Sequence, residues 1–139
     1  MTNVTVQETI KGPAAAVWER LSDFAGIEVG GPITAFETEG EGVGMTRTIT
    51  LGGADIVERL DAFDADAMMF AYSIINDGGP LPVKNYSAKV QVADQGDGTC
   101  QVTWSGDFEP NGAPEAQAVQ VVEGIYKGGI AGARKAVGG

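Results

Sequence analysis

The feature that most constrains the fold is a run of six strand-like segments followed by one long helix-like segment. Each of the six alternates apolar and polar residues or is rich in β-forming residues. They run from Ile33 to Glu37, Gly44 to Leu51, Ala54 to Phe63, Met68 to Ile75, Tyr86 to Val92 and Thr99 to Phe108. Apolar residues then recur at helical spacing from about Glu115 to about Val137. Consecutive antiparallel strands followed by one helix predict a curved sheet that the helix covers.

The N-terminal part predicts one further strand and two short helices. Val4 to Ile10 alternates with period two, and Gly12-Pro13 ends this strand. Ala14 to Leu21 has the apolar pattern of a helix, and Ser22-Asp23-Phe24 predicts a second short helix. The expected architecture is α+β: strand, two short helices, six strands and a long helix, within a single domain of residues 1–139.

Composition excludes several classes of function. The net charge is −10, with only nine lysine and arginine residues, which argues against nucleic acid and anionic membranes as partners. The chain has no histidine and one cysteine, so serine triads and most zinc sites are excluded, and no metal or cofactor is expected. Neither a signal peptide nor an apolar stretch of about 20 residues is evident, so we expect a reduced, cytoplasmic setting without membrane insertion.

The glycines within the long helix have two possible explanations. Gly124, Gly128, Gly129 and Gly132 each cost about 1 kcal/mol relative to alanine in a helix. They could allow close packing of the helix against the sheet, or they could leave space between the two. The sequence leaves both explanations open.

A hairpin at Gly52-Gly53 predicts which side chains share the inner face of the sheet. With these glycines as the two turn residues, Leu51 faces Ala54 and Ile49 faces Ile56. Arg47 then faces Glu58 as an ion pair turned inward. Because a buried ion pair is costly unless it is well hydrogen-bonded, the pair is either a structural bridge or part of a functional site.

The later strands place aromatic residues on the same face. A turn centred on Asp64-Ala65-Asp66 would put Tyr72 near Glu58, with Phe70 and Ile74 beside it. Alternation turns Tyr86 and Ala88 inward on the next strand, and Trp104 on the last. These side chains either fill the core or contact a ligand. The direction of Tyr126 on the helix stays open.

Together these segments resemble the START and birch-pollen-allergen superfamily, also called SRPBCC or polyketide-cyclase-like. The similarity is strongest to bacterial members and more distant to the plant abscisic acid receptors. The matching pieces are Arg47–Thr50, Val57–Leu60, Gly79–Val83 with Asn85-Tyr86, Asp97–Thr99 with Thr103–Gly106, and Val122–Tyr126. The resemblance implies a helix-grip fold, in which a curved seven-stranded antiparallel sheet wraps the C-terminal helix and leaves a cavity.

The resemblance also implies an apolar or amphipathic small-molecule ligand. Taken with the alternation of the strands, it predicts a set of ligand-binding residues: Arg47, Ile49, Leu51, Ile56, Glu58, Tyr72, Ile74, Leu81, Tyr86, Ala88, Trp104, Val121 and Ile125. The Gly52-Gly53 turn and the Gly78–Val83 loop would lie at the cavity mouth, the latter as a lid or as an ordinary connection. Leu81 and Pro82 replace the receptors' latch histidine and arginine, and Thr34 approximately replaces their anchoring lysine, so hormone-style gating is not expected.

Three functions remain open at this stage. The first is a carrier or sensor that binds a hydrophobic ligand. The second is a cyclase or dehydratase, hence a lyase or isomerase, with Glu58, Tyr72 and Tyr86 as candidate catalytic residues. Arg47 opposite Glu58 would stabilise the carboxylate and make it a weaker base, which favours binding. The third is a protein-interaction module on the same fold, and neither the ligand nor the oligomeric state follows from the sequence.

Overall fold

The computed structural model describes residues 1–27, 29–76 and 79–139. These residues form strands β1 (Thr2–Lys11), β2 (Ile33–Glu39), β3 (Thr46–Leu51), β4 (Ala54–Asp64), β5 (Met69–Ile74), β6 (Val83–Asp94) and β7 (Thr99–Pro110), with helices α1 (Ala14–Ser22) and α2 (Glu115–Ala136). The predicted element order is confirmed apart from the second short helix.

All seven strands belong to one antiparallel sheet with the order β1-β7-β6-β5-β4-β3-β2. Strands β2 to β7 follow one another as hairpins, and β1 joins at the edge beside β7. The long helix α2 turns a stripe of buried residues toward the sheet, namely Ala118, Val122, Tyr126, Ile130 and Ala133. Their spacing of three and four residues is that of one helix face. The helix-grip architecture is therefore confirmed.

The predicted helix at Ser22–Phe24 is wrong. Helix α1 runs through Ser22, and the chain then turns at Phe24 and Ala25. The Phe24 N–H donates to the Ser22 carbonyl at 2.9 Å, a two-residue closure that ends helical hydrogen bonding. Burial of the Phe24 ring, which is 4% exposed, holds the turn against the sheet. Burial of the Phe24 side chain therefore outweighs the local helix preference of Ser22–Phe24.

The hairpin predicted at Gly52-Gly53 is confirmed, together with its register. Both glycines have positive φ, 60° and 93°, as a tight two-residue turn between twisted strands requires. Arg47 lies opposite Glu58, and Ile49 lies opposite Ile56. Because side chains alternate across a strand, this register turns Arg47 and Glu58 toward the same face as the apolar pair.

The register predicted between β4 and β5 is wrong by two residues. Glu58 lies opposite Ile74, and Tyr72 lies opposite Leu60. The turn occupies 65–68 and ends in Met68 at a φ of 52°, and the register shifts between Leu60 and Ala62. Up to Leu60 the shift is an even number of residues, so Tyr72 still points inward, whereas beyond the irregularity Phe63 lies opposite Phe70 and the faces of β4 are inverted.

The glycines of α2 differ in what surrounds them. A Cβ atom at Gly129 would collide with the ring of Trp104, whereas a Cβ atom at Gly124, Gly128 or Gly132 would meet nothing within 4 Å. Close packing therefore explains Gly129, and the other three glycines have room for a side chain.

This difference predicts opposite effects of one substitution along the same helix. Gly124→Ala, Gly128→Ala and Gly132→Ala should each raise the free energy of unfolding by about 0.5–1 kcal/mol, because alanine favours the helix. Gly129→Ala should lower it, because Trp104 is fixed by its stacking on Tyr126. Urea denaturation followed by circular dichroism measures each change. An equal gain at all four positions would contradict close packing at Gly129.

Candidate ligand-binding cavity

A cavity of about 620 Å³ lies between the inner face of the sheet, helix α2 and the segment that follows α1. This volume is within the usual range of small-molecule sites, about 300–1,000 Å³. Its lining consists of Arg20, Leu21, Asp23, Gly26, Ile27, Pro32, Ile33, Arg47, Ile49, Leu51, Ile56, Glu58, Phe70, Tyr72, Ile74, Leu81, Tyr86, Trp104, Val121, Ile125 and Gly129. Most of these side chains are apolar, so the walls suit an apolar molecule.

The cavity brings together every residue predicted to contact a ligand except Ala88. Ala88 has the inward parity but is 5% exposed and pairs with Tyr72 and Gly106 on the neighbouring strands. Ala88 is not among the residues that line this cavity, so the expectation that it does so is wrong. Whether the other residues contact a ligand stays a prediction.

Sequence reasoning missed the side of the cavity formed by the end of α1 and the chain leading to β2. Arg20, Leu21 and Asp23 come from that helix end, and residues 26–33 add Gly26, Ile27, Pro32 and Ile33. This segment has no regular apolar period, so its path could not be predicted. Phe70 and Gly129 also line the cavity, although neither is in the predicted set of ligand-binding residues. The inward direction of Phe70 does follow from strand alternation.

The polar centre of the cavity is the Arg47–Glu58 ion pair, which the structure confirms as turned inward. Arg47 Nε donates to Glu58 Oε1 at 2.6 Å, and the two side chains are 13% and 10% exposed. Arg47 Nη1 also donates to the Phe24 carbonyl at 3.1 Å, and the guanidinium lies 3.9 Å from the centroid of the Phe24 ring. The guanidinium also lies 5.7 Å from the centroid of the Tyr72 ring, so the turn after α1 supplies two of these four contacts of Arg47.

One atom of each charged group is left for a ligand. Glu58 Oε2 and Arg47 Nη2 have no hydrogen-bond partner among the described residues, and both side chains line the cavity. Because a carboxylate oxygen accepts and a guanidinium nitrogen donates, the pair offers Oε2 as an acceptor and the two N–H groups of Nη2 as donors. A ligand with one polar end could use either atom.

A second polar group consists of three tyrosines and a tryptophan. Trp104 Nε1 donates to Tyr72 Oη at 3.2 Å, Tyr72 Oη lies 3.4 Å from Tyr86 Oη, and Tyr86 Oη lies 2.5 Å from Tyr126 Oη. Tyr72, Tyr86 and Trp104 line the cavity, whereas Tyr126 is fully buried between helix and sheet, with its hydroxyl beside Gly106. The direction of Tyr126, which the sequence left open, is thereby assigned to the seam between α2 and the sheet.

Burial keeps these hydroxyls protonated. It is the largest cause of the raised pKa of Tyr72, and the charge of Glu58 raises that pKa further. Burial likewise raises the pKa of Tyr86 and the pKa of Tyr126 far above the ordinary value. Each hydroxyl is therefore available as a hydrogen-bond donor at neutral pH.

The Gly78–Val83 loop, predicted as a lid or an ordinary connection, contributes Leu81 to the cavity lining. Pro80 precedes Leu81 and Pro82 follows it. Gly78, the first residue of this loop, lies outside the described residues. Movement of this loop stays a prediction.

The described part of the chain has neither a membrane-spanning helix nor a metal-binding cluster. No helix there is long and apolar enough to cross a membrane. Residues 1–27, 29–76 and 79–139 also hold no cluster of three or more cysteine, aspartate or glutamate side chains placed to bind a metal ion.

The fold and the cavity together define a helix-grip protein with an internal cavity. A family model described as polyketide cyclase / dehydrase and lipid transport matches residues 1–138. The chain belongs to this family, which confirms the resemblance to the SRPBCC superfamily.

Solved structures agree with this assignment. The Bacillus cereus protein XoxI is 28% identical with a TM-score of 0.84, covering 99% of this chain and 96% of its own. A Bacillus thuringiensis protein is 29% identical with a TM-score of 0.83, covering 98% of both chains. Ara h 8.0201 shares the fold at 20% identity and a TM-score of 0.80, covering 98% of this chain and 97% of its own. No curated protein matches the chain by sequence.

Proposed function

We propose that residues 1–139 are one ligand-binding domain, which carries or senses an apolar or amphipathic small molecule in the cavity between the sheet and α2. The observation that carries this proposal is a cavity of about 620 Å³ whose apolar walls surround a single inward ion pair. Apolar walls with a few convergent polar groups are typical of small-molecule sites. The family's description, which includes lipid transport, supports the same function.

The ligand's apolar body would lie against Ile49, Leu51 and Ile56 of the sheet and against Val121 and Ile125 of α2. Its polar end would face Arg47 and Glu58, where the two uncommitted atoms lie. Ile125 is 41% exposed although it lines the cavity, which places it at the opening. This arrangement buries the apolar part of a ligand and keeps one end near water.

Filling the cavity should abolish binding. Val121→Trp places a large side chain in the space opposite the sheet, and we expect it to weaken binding of the neutral fluorescent probe N-phenyl-1-naphthylamine at least about tenfold, a loss of 1.4 kcal/mol. Fluorescence titration measures the affinity.

The matched control is Gln120→Trp, at the neighbouring exposed position that does not line the cavity. This variant should bind the probe within about twofold of the unmodified protein. Equal loss in both variants, or no loss in either, would place the probe elsewhere and overturn the proposal.

One observation favours a second candidate, a cyclase- or dehydratase-like enzyme: the Glu58 carboxylate lies in the cavity with Tyr72 and Tyr86. Glu58→Gln should then abolish turnover of any polyketide that the protein converts, while probe binding stays within about threefold. Unchanged turnover in Glu58→Gln would remove the catalytic role. Arg47 donates to Oε1 and so engages one of the two carboxylate oxygens that a catalytic base would use, and we therefore propose binding as the primary function. A cytoplasmic setting without a nucleic acid partner stays a prediction.

A further inference from the structure

The hydroxyl chain beside the cavity has one more proton than it has internal contacts. Trp104 supplies one N–H, and Tyr72, Tyr86 and Tyr126 supply one O–H each, which gives four donors. The chain contains three contacts, from Trp104 to Tyr72, between Tyr72 and Tyr86, and between Tyr86 and Tyr126. Each contact uses one proton. One hydroxyl proton therefore has no acceptor within the chain.

The burial of Tyr126 decides which end of the chain keeps this proton. Tyr126 is 0% exposed, and among the described residues its Oη has Tyr86 Oη as its hydrogen-bond partner. If the donors pointed from Tyr72 to Tyr86 to Tyr126, the last proton would be stranded in the core, at a cost of about 1–3 kcal/mol. The opposite direction avoids this cost, so Tyr126 donates to Tyr86.

The same argument continues to the cavity wall. The contact of 2.5 Å from Tyr126 polarises the Tyr86 hydroxyl and makes it a better donor to its remaining neighbour, Tyr72 Oη at 3.4 Å. Tyr72 Oη also accepts the Trp104 N–H. Both contacts use Tyr72 as an acceptor, so its own proton is left over, on a side chain that lines the cavity.

We propose that Tyr72 presents a hydrogen-bond donor to the cavity, and that the ligand is an apolar molecule with a neutral carbonyl group at this point. The inference rests on the proposed function and names its ligand class. A neutral carbonyl fits better than a carboxylate, because at Tyr72 the negative charge of Glu58 outweighs the positive charge of Arg47. Glu58 itself forms no hydrogen bond with Tyr72 in the structure, so the donor is not taken by that carboxylate.

Two flat probes of nearly equal shape test the inference. Fluorene and 9-fluorenone differ only in a CH₂ group against a C=O group, so a preference for the ketone reports a hydrogen bond to the carbonyl. Competition with N-phenyl-1-naphthylamine gives both affinities. We expect the unmodified protein to bind 9-fluorenone about three- to tenfold more tightly than fluorene, the value of one neutral hydrogen bond.

Matched removal of single hydroxyls locates the donor. Tyr72→Phe should abolish the preference for the ketone over fluorene, because the variant has no hydroxyl to donate at this point. Tyr126→Phe should keep the preference, because Tyr86 can still donate to Tyr72. An equal loss in both variants would overturn the assignment to Tyr72.

A second measurement needs no variant. The carbonyl stretching frequency of 9-fluorenone bound to the unmodified protein should fall below its value in cyclohexane, as it does when the oxygen accepts a hydrogen bond. An unshifted frequency, or equal affinity for the two probes, would overturn the inference and leave the binding function intact. Failure of both probes to bind would instead contradict the proposed function.

Discussion

Replacing Arg47 with methionine should lower the free energy of unfolding by about 2–4 kcal/mol. The substitution leaves the Glu58 carboxylate, which is 8% exposed, without its charged partner in an apolar cavity. It also removes the donor to the Phe24 carbonyl and the cation above the Phe24 ring, so the turn after α1 is held to the sheet by apolar packing without these two contacts. Urea denaturation followed by circular dichroism measures the change.

An exposed ion pair in β4, the strand that carries Glu58, supplies the control. Arg59 and Asp61 pair at 2.8 Å, but their side chains are 49% and 29% exposed. Arg59→Met should therefore cost less than about 1 kcal/mol, because solvent screens such a pair.

The double variant Arg47→Met with Glu58→Leu should recover most of the loss, because it leaves no unpaired charge in the cavity. Additive losses in the double variant would mean that the two side chains contribute independently. Losses equal to those of the exposed pair would contradict the inward placement of Arg47 and Glu58.

Gly106→Ala should lower the free energy of unfolding by a similar amount, about 2–4 kcal/mol. A Cβ atom at this position would overlap the Tyr126 hydroxyl and lie 3.3 Å from the Ser87 carbonyl oxygen. Either Tyr126 moves, and its hydrogen bond to Tyr86 breaks, or the helix is pushed away from the sheet. Thermal and urea denaturation both report the loss.

The rescue variant for this prediction removes the overlapping oxygen. In a Tyr126→Phe background, the new Cβ atom would have the ring carbon at 3.2 Å as its nearest aromatic neighbour, a tight but tolerable contact. Gly106→Ala should then cost at least about 1 kcal/mol less than in the unmodified protein. The same cost in both backgrounds would show that the Tyr126 hydroxyl does not occupy the space beside Gly106.

Much of the fold could be predicted from two local patterns, the turn glycines and the alternation of apolar and polar residues along the strands. The glycine pair at 52–53 determines one hairpin, and with it the pairing of Arg47 with Glu58, because a two-residue turn allows one register. Alternation then assigns each later strand's inner face. The irregularity between Leu60 and Ala62 has no recognisable pattern in the sequence. The side chain of Tyr72 nevertheless lies on the predicted inner face of the sheet.

The rest of the site depends on packing that periodicity does not encode. Phe24 turns the chain after α1 because its ring is buried, which brings its carbonyl to Arg47 and replaces a predicted helix. Ala88 has the predicted inward parity but is buried without lining the cavity. The direction of the Tyr126 side chain could not be predicted either. It depends on the space beside Gly106, which has no side chain and leaves room for the Tyr126 hydroxyl.

The most direct test of a ligand-binding interior is an NMR titration of protein carrying ¹³C-labelled methyl groups with N-phenyl-1-naphthylamine. We predict intermolecular nuclear Overhauser effects from the probe to the methyl groups of Ile49, Leu51, Ile56 and Val121, which line the cavity from both sides. The exposed Val43, which does not line the cavity, should show none. Contacts confined to exposed methyl groups such as that of Val43, with none to the four cavity residues, would contradict a ligand-binding interior.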